Sequence, residues 1–219
     1  MILTVGNTKG GVGKTAIALN LAISRLLSGR KVWLVDGDRQ GTASIAVSIR
    51  AQSPALPALQ CNQHPDGKDL HAQVLANSSQ FDDVVIDAGG RDSSALRAAL
   101  ILSGVVLVPF APRSLDLWAL TDMSQLIQEA QAINPSLRAY AVLSMADNSG
   151  TDNAEAIAAL QDFPLLSYLP APVLRRKAVA TAAGQGLSVL ELKPKDPKAI
   201  KEFQYLFDML SMSYNIKST

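Results

Sequence analysis

Residues 9–15 read Lys-Gly-Gly-Val-Gly-Lys-Thr and follow the apolar run Ile2-Leu3-Thr4-Val5. Glycines at this density let backbone N–H groups converge on anionic oxygens without interference from Cβ atoms. A helix that starts near Lys14 aims the positive end of its dipole at the same place. Lys14 can reach the β- and γ-phosphates of a nucleotide, and the Thr15 hydroxyl can ligate Mg²⁺. A strand before and a helix after is the context that a phosphate-binding loop requires. Gly10, Gly11, Val12, Gly13, Lys14, Thr15 and Ala16 are therefore the candidate nucleotide cradle. Such a loop needs only the second of its two lysines, so Lys9 calls for a separate explanation.

Two apolar strands end in carboxylates. Val32–Val35 runs into Asp36-Gly37-Asp38, and Val84–Ile86 runs into Asp87. Asp36 and Asp38 share a face if the strand continues, so both can approach the phosphates. There they can hold Mg²⁺, directly or through water, or orient an attacking water. Asp36 is expected as an outer contact of the metal. Asp87 has the Walker B arrangement, at the carboxyl end of a strand beside the loop strand, where open α/β sheets bind ligands. It is expected to reach Mg²⁺ through water, with Gly89 and Gly90 offering a backbone N–H to the γ-phosphate. Asp82 and Asp83 read as solvated strand-entry residues, and His64 and His71 as surface residues. Trp33 and Trp118 read as packing residues.

These residues need a scaffold. Strands are expected at Ile2–Val5, Val32–Val35, Val84–Ile86, Val105–Val108 and Ala139–Leu143, with a short one near Leu165–Leu169. Helices are expected at Lys14–Ser28, Gln40–Ser48, Gly67–Asn77, Ser93–Leu102, Leu115–Ile133, Asp152–Gln161, Leu174–Ala183 and Pro197–Met212. Strands without polar alternation suit a parallel sheet covered on both faces. The alternation of strand and helix predicts an α/β fold, a mostly parallel twisted sheet flanked by helices on both faces. The stretch Ala51–Pro65 has little pattern and holds either an edge strand around Leu59–Cys61 or loop. No boundary divides the 219 residues, so a single domain, 1–219, is expected.

Charge is uneven. The net charge is +1, which excludes a globally basic nucleic-acid binder. Residues 1–164 carry 12 Lys/Arg and 15 Asp/Glu, whereas residues 165–219 carry 8 and 4. The basic tail is either a solvated surface or a local anion-binding face. Arg175-Arg176-Lys177 opens a helix, where cations oppose the dipole. That placement favours a partner anion, with DNA phosphate a candidate. The lone Cys61 cannot form an internal disulfide and fits a reducing cytoplasm. The apolar runs are too short to span a membrane, and no cleaved leader is expected.

The loop K-G-G-x-G-K-T resembles that of the deviant Walker A ATPases, the ParA/MinD family. Val32–Gly41 is similar to its D-x-D-P-Q switch, with Arg39 in the place of proline. The strand and Pro-rich turn at Val105–Asp116 are similar as well, with Ser114 or Asp116 capping the next helix and Arg113 facing a dimer interface, DNA or solvent. By this resemblance Lys9 reaches across an ATP-sandwiched dimer to the partner's nucleotide, Lys14 acts in cis, and Asp38 serves water activation. Pro170 and Ala171 are expected to contact adenine through their backbone, although Ser144 and Met145 stand where relatives place a base-reading asparagine. The resemblance implies a weak, Mg²⁺-dependent ATPase that forms a homodimer on ATP and binds DNA non-specifically. A ParB-like or cargo-adaptor protein would stimulate hydrolysis, and the setting would be a bacterial, nucleoid-associated cytoplasm. The role implied is segregation or positioning of plasmid, chromosome or protein cargo.

Other members of the superfamily set the alternatives. A MinD-like membrane-positioning ATPase needs an amphipathic tail, and the stripe Ile200, Phe203, Leu206, Phe207, Leu210 reads more simply as a core face. A metabolite kinase or ligase is disfavoured by Lys9. An iron–sulfur ATPase needs two cysteines per subunit, and this chain has one.

Overall fold

A computed structural model describes residues 1–112, 116–147 and 151–215. The expectations for Arg113 and Ser114 fall outside the described residues, as do those for the side chains of Asp116 and Trp118.

The first half of the chain forms β1 (Ile2–Val5), α1 (Lys14–Leu27), β2 (Val32–Asp36), α2 (Thr42–Arg50), β3 (Gln60–Gln63), α3 (Gly67–Asn77), β4 (Asp83–Asp87) and α4 (Ser94–Leu102). The second half forms β5 (Val105–Phe110), α5 (Asp116–Ile133), β6 (Arg138–Ala146), α6 (Asp152–Ala158), β7 (Ser167–Tyr168), β8 (Val173–Leu174), α7 (Lys177–Gly184) and α8 (Pro197–Asn215). Seven strands pair in parallel in the order β3-β2-β4-β1-β5-β6-β7, and β8 pairs with the far end of β6.

The strands carry apolar residues on both faces because both faces are covered. Along β2, Val32 and Leu34 pack with Ile17, Leu21 and Phe203, whereas Trp33 and Val35 pack with Leu70 and Ala99. Along β5, Leu107 joins the first of these clusters and Val108 joins a third with Leu120 and Ile127. Phe203, Leu206 and Leu210 of α8 are all buried there, so the apolar stripe of α8 is a core face, as its sequence indicates. No helix among the described residues is long and apolar enough to cross a membrane.

Several expectations need revision. The edge strand is real, but it runs from Gln60 to Gln63. The helix expected from Leu174 begins only at Lys177, because Val173 and Leu174 form β8. Asp83 is not solvated. It is 1% exposed, with Arg30 2.5 Å and Arg25 3.7 Å from its carboxylate. His64 is half-buried, edge-on to Trp33 and hydrogen-bonded to Asp69. Trp33 is a packing residue, stacked on Phe81 with its indole N–H donated to Asn62.

Candidate nucleotide site

β1 lies at the middle of the sheet, and the residues after it form the glycine loop. Asn7, fully buried, fixes the entry: its Nδ2 donates to the Pro109 carbonyl at 2.7 Å and its Oδ1 accepts the Lys9 N–H at 3.0 Å. Nothing in the sequence pattern singles out Asn7, because its role depends on β5 a hundred residues away. Gly13 takes a left-handed conformation (φ 82°) immediately before α1, which carries no side-chain cap. α3 and α4, by contrast, are capped by Asp66 and Ser93. α2 and α7 also lack a side-chain cap, so it is the position of α1 directly after the glycine loop that turns its first N–H groups into a candidate anion site.

Register brings the acids together. Asp87 pairs with Val5 across β4–β1 and with Asp36 across β4–β2, so the last residue of β1 and both carboxylates share one row. Asp36 is wholly buried and committed to backbone: its oxygens accept the Asp38 N–H at 3.1 Å and the Ser44 N–H at 2.8 Å. Burial raises its pKa, and these bonds oppose the rise. Asp36 thereby anchors the loop and the start of α2.

Asp87 is treated differently. It is 1% exposed, and neither carboxylate oxygen has a hydrogen-bond partner. Desolvation pushes its pKa up to about 7. The Thr15 hydroxyl and the Lys14 ammonium are near enough to oppose that rise, but neither is aligned as a hydrogen bond to it. Lys14 is itself buried, and its Nζ donates to the Lys9 carbonyl at 2.6 Å. Burial lowers its pKa, while Asp87 and Asp38 raise it. An orphaned buried carboxylate beside a threonine hydroxyl is a donor set that fits Mg²⁺.

The backbone after Asp87 closes over the loop. A Cβ on Gly90 would sit 3.0 Å from the Gly10 Cα and 3.1 Å from the Lys14 Nζ. A Cβ on Gly89 would sit 3.2 Å from the Asp38 carboxyl carbon. Asp38, Lys14, Gly10 and the Gly89-Gly90 pair therefore meet at one place, and glycine is what permits the approach.

The remaining candidates divide. Ser144 and Met145 do border the loop: a Cβ on Gly13 would lie 3.0 Å from the Ser144 Oγ, and Met145 takes the uncommon left-handed backbone (φ 53°). The Ala171 N–H is spent on the Leu169 carbonyl at 2.8 Å and Pro170 has none, so only their carbonyls remain for a base. Arg176 is not open to an anion, because its Nε and Nη2 grip the Glu202 carboxylate of α8. Arg175 and Lys177, on either side, are exposed.

Central loop, capless helix and a row of acidic strand ends define a P-loop nucleotide-binding α/β domain. The comparison with known proteins gives the same class and narrows it. The chain belongs to the CobQ/CobB/MinD/ParA nucleotide-binding domain family, whose profile matches residues 3–189. It is 31% identical over 217 residues to the maintenance of carboxysome distribution protein A of Halothiobacillus neapolitanus, covering 94% of each chain. Its fold is shared by a Cyanothece McdA variant solved with ATP, at TM-score 0.77 and 19% identity over 95% of both chains. It is also shared by the septum site-determining protein MinD of Pyrococcus horikoshii solved with Mg-ADP, at TM-score 0.75 and 16% identity over 99% of this chain and 98% of that one.

Proposed function

We propose that this protein is a ParA-type ATPase that dimerises on ATP, binds DNA non-specifically and positions a cargo, with hydrolysis stimulated by a cargo-bound partner. The observation that carries this reading is the partnerless, buried Asp87 beside Lys14 and Thr15, in a loop that has a second lysine at position 9. The similarity to a carboxysome distribution protein over nearly the whole chain favours cargo positioning over plasmid partition. The buried stripe of α8 argues against a MinD-like membrane role for that helix.

In this reading the N–H groups of Gly11 to Ala16 hold the phosphates, and Lys14 turns from the Lys9 carbonyl to the β- and γ-phosphates. Thr15 and Asp87 would hold Mg²⁺, which supplies charge neutralisation to the triphosphate when bound. Asp38 orients the attacking water and accepts its proton. Lys9 offsets the charge of two facing triphosphates by reaching the partner's nucleotide. Arg175 and Lys177 offer cations to DNA, too few on one protomer for tight binding, so that pairing of two protomers turns binding on.

The test is binding to duplex DNA of arbitrary sequence with ATP, ADP or no nucleotide, at two salt concentrations. Wild type is compared with Lys9→Ala and with the double variant Arg175→Ala/Lys177→Ala. Binding with ATP alone, weakened by salt and lost in both variants, supports the reading. Binding in no nucleotide state removes the DNA role, and liposomes are then the next surface to test.

A further inference from the structure

We propose that Gln63 is a positioning residue for Asp38, restraining by side-chain hydrogen bonds a loop that has arginine rather than proline at position 39. The inference rests on the reading of Asp38 as the residue that orients water.

Gln63 is the last residue of the edge strand β3 and pairs in register with Asp36, the last residue of β2. Its Nε2 donates to the Asp38 carbonyl at 2.8 Å and to the Arg39 carbonyl at 3.3 Å. The carboxamide lies flat on the turn: Gly41 has φ 64°, and a Cβ there would stand 2.9 Å from that same Nε2. The turn is closed from inside by the Gly41 N–H on the Asp38 carbonyl at 3.1 Å and by the Gln40 N–H on the Asp38 Oδ1 at 3.0 Å. The strand end that carries Gln63 is tied down in turn by the His64 N–H on the Asp36 carbonyl at 2.8 Å.

The chemistry selects an amide. Two carbonyls side by side need one atom with two hydrogens, which the glutamine NH₂ supplies. Glutamate has nearly the same shape but would present lone pairs to both oxygens. A proline at 39 would fix φ by its ring. Arginine leaves that dihedral free, and the two bonds from Gln63 restrain the carbonyls on either side of it. Gln63 is exposed, so its substitution leaves the core intact.

The experiment pairs amide hydrogen exchange of the peptide spanning residues 37–41, in nucleotide-free protein, with steady-state ATP hydrolysis. The proteins are wild type, Gln63→Glu, Gln63→Ala, Gln63→Glu/Arg39→Pro and Asp38→Ala. The expected result is faster exchange in both single Gln63 variants at unchanged melting temperature. Their kcat should fall roughly tenfold with KM for ATP retained, as for a misplaced catalytic group, and Arg39→Pro should restore much of it. Wild-type exchange and kcat in Gln63→Glu and Gln63→Ala would overturn the proposal. Full turnover in Asp38→Ala would instead remove the role given to Asp38, and loop exchange would then decide the restraint by itself.

Discussion

Asp36 and Asp87 stand side by side in the β2–β4 register, yet one is saturated and the other is bare. Asp36 has spent its oxygens on the N–H groups of Asp38 and Ser44, while Asp87 has none to meet. The difference follows from what comes next in the chain. After Asp36 the backbone turns back over the carboxylate, whereas after Asp87 it leaves through Ala88-Gly89-Gly90 toward the loop. One acid is committed to the backbone, and the other keeps both oxygens without a hydrogen-bond partner.

The bare acid should make the metal-free protein sensitive to pH. The folded pKa of Asp87, about 7, lies above the usual carboxylate value of 3.8. Its contribution is therefore most favourable below the unfolded pKa and is lost as pH rises through the folded one. With Mg²⁺ chelated, Asp87→Asn should be more stable than wild type at pH 8, by an amount on the order of a few kcal/mol. The two should converge as pH falls toward 4. Denaturant midpoints across this range check it, and parallel curves would show that Asp87 is ionised at no cost.

A second buried charge is fully paired, and breaking it should cost more. Arg50 of α2 is 1% exposed on its side chain, and its guanidinium meets Glu191 at 2.7 and 2.8 Å. It also donates to the carbonyls of Pro57 and Gly186. Glu191→Ala leaves that cation buried without its counter-ion, so a loss of about 3–5 kcal/mol is expected. Urea unfolding monitored by circular dichroism measures it.

Much of this was legible in advance, and the failures have a common cause. The glycine loop, the acidic strand ends and the two-faced strands are local patterns, and α3 has the boundaries its periodicity indicates. Asp83 departs from its sequence pattern, since an acidic pair before a strand is ordinarily solvated. Its burial depends on Arg25 and Arg30, more than fifty residues earlier. Asn7, Arg50 and Gln63 carry no local signal for the same reason, since each is defined by a partner distant in sequence. Gln63 lies besides in the one stretch without periodicity.

Close approach gives a sharper prediction than any single contact. Gly90→Ala puts a methyl 3.0 Å from the Gly10 Cα and 3.2 Å from the Gly10 N. That is tighter than a Cβ ordinarily packs, and two of the nearest atoms are backbone, so the Gly10 segment has to give by a few tenths of an ångström. Nucleotide affinity should fall about tenfold, equivalent to about 1.4 kcal/mol. Titration of a fluorescent ATP analogue reads the change, and an affinity equal to wild type would mean that the two segments separate in the bound state.

Cys61 should be a poor nucleophile despite its place at an edge strand. Burial pushes its thiol up to about 11, and the Ser44 hydroxyl 3.6 Å away only partly opposes this. A raised pKa means less thiolate at any given pH. Alkylation at pH 8 should therefore run roughly a hundredfold slower than for an unhindered thiol of pKa near 9, in line with a two-unit shift. Urea should restore the ordinary rate, and rapid labelling of the folded protein would mean that β3 opens readily.

The basic run at 175–177 separates into two kinds of residue, and salt dependence can tell them apart. Arg176 holds Glu202, which also accepts the Leu174 N–H, so this pair fastens β8 to α8. Arg175 and Lys177 face outward. If the outward pair contacts DNA phosphate, Arg175→Ala and Lys177→Ala should each lower the slope of log affinity against log salt by about 1, with stability unchanged. Arg176→Ala should act chiefly on stability, because it leaves Glu202 without its cation. A loss of slope in Arg176→Ala as large as in its neighbours, at wild-type stability, would mean that the Glu202 pair opens on DNA and that all three residues reach the duplex.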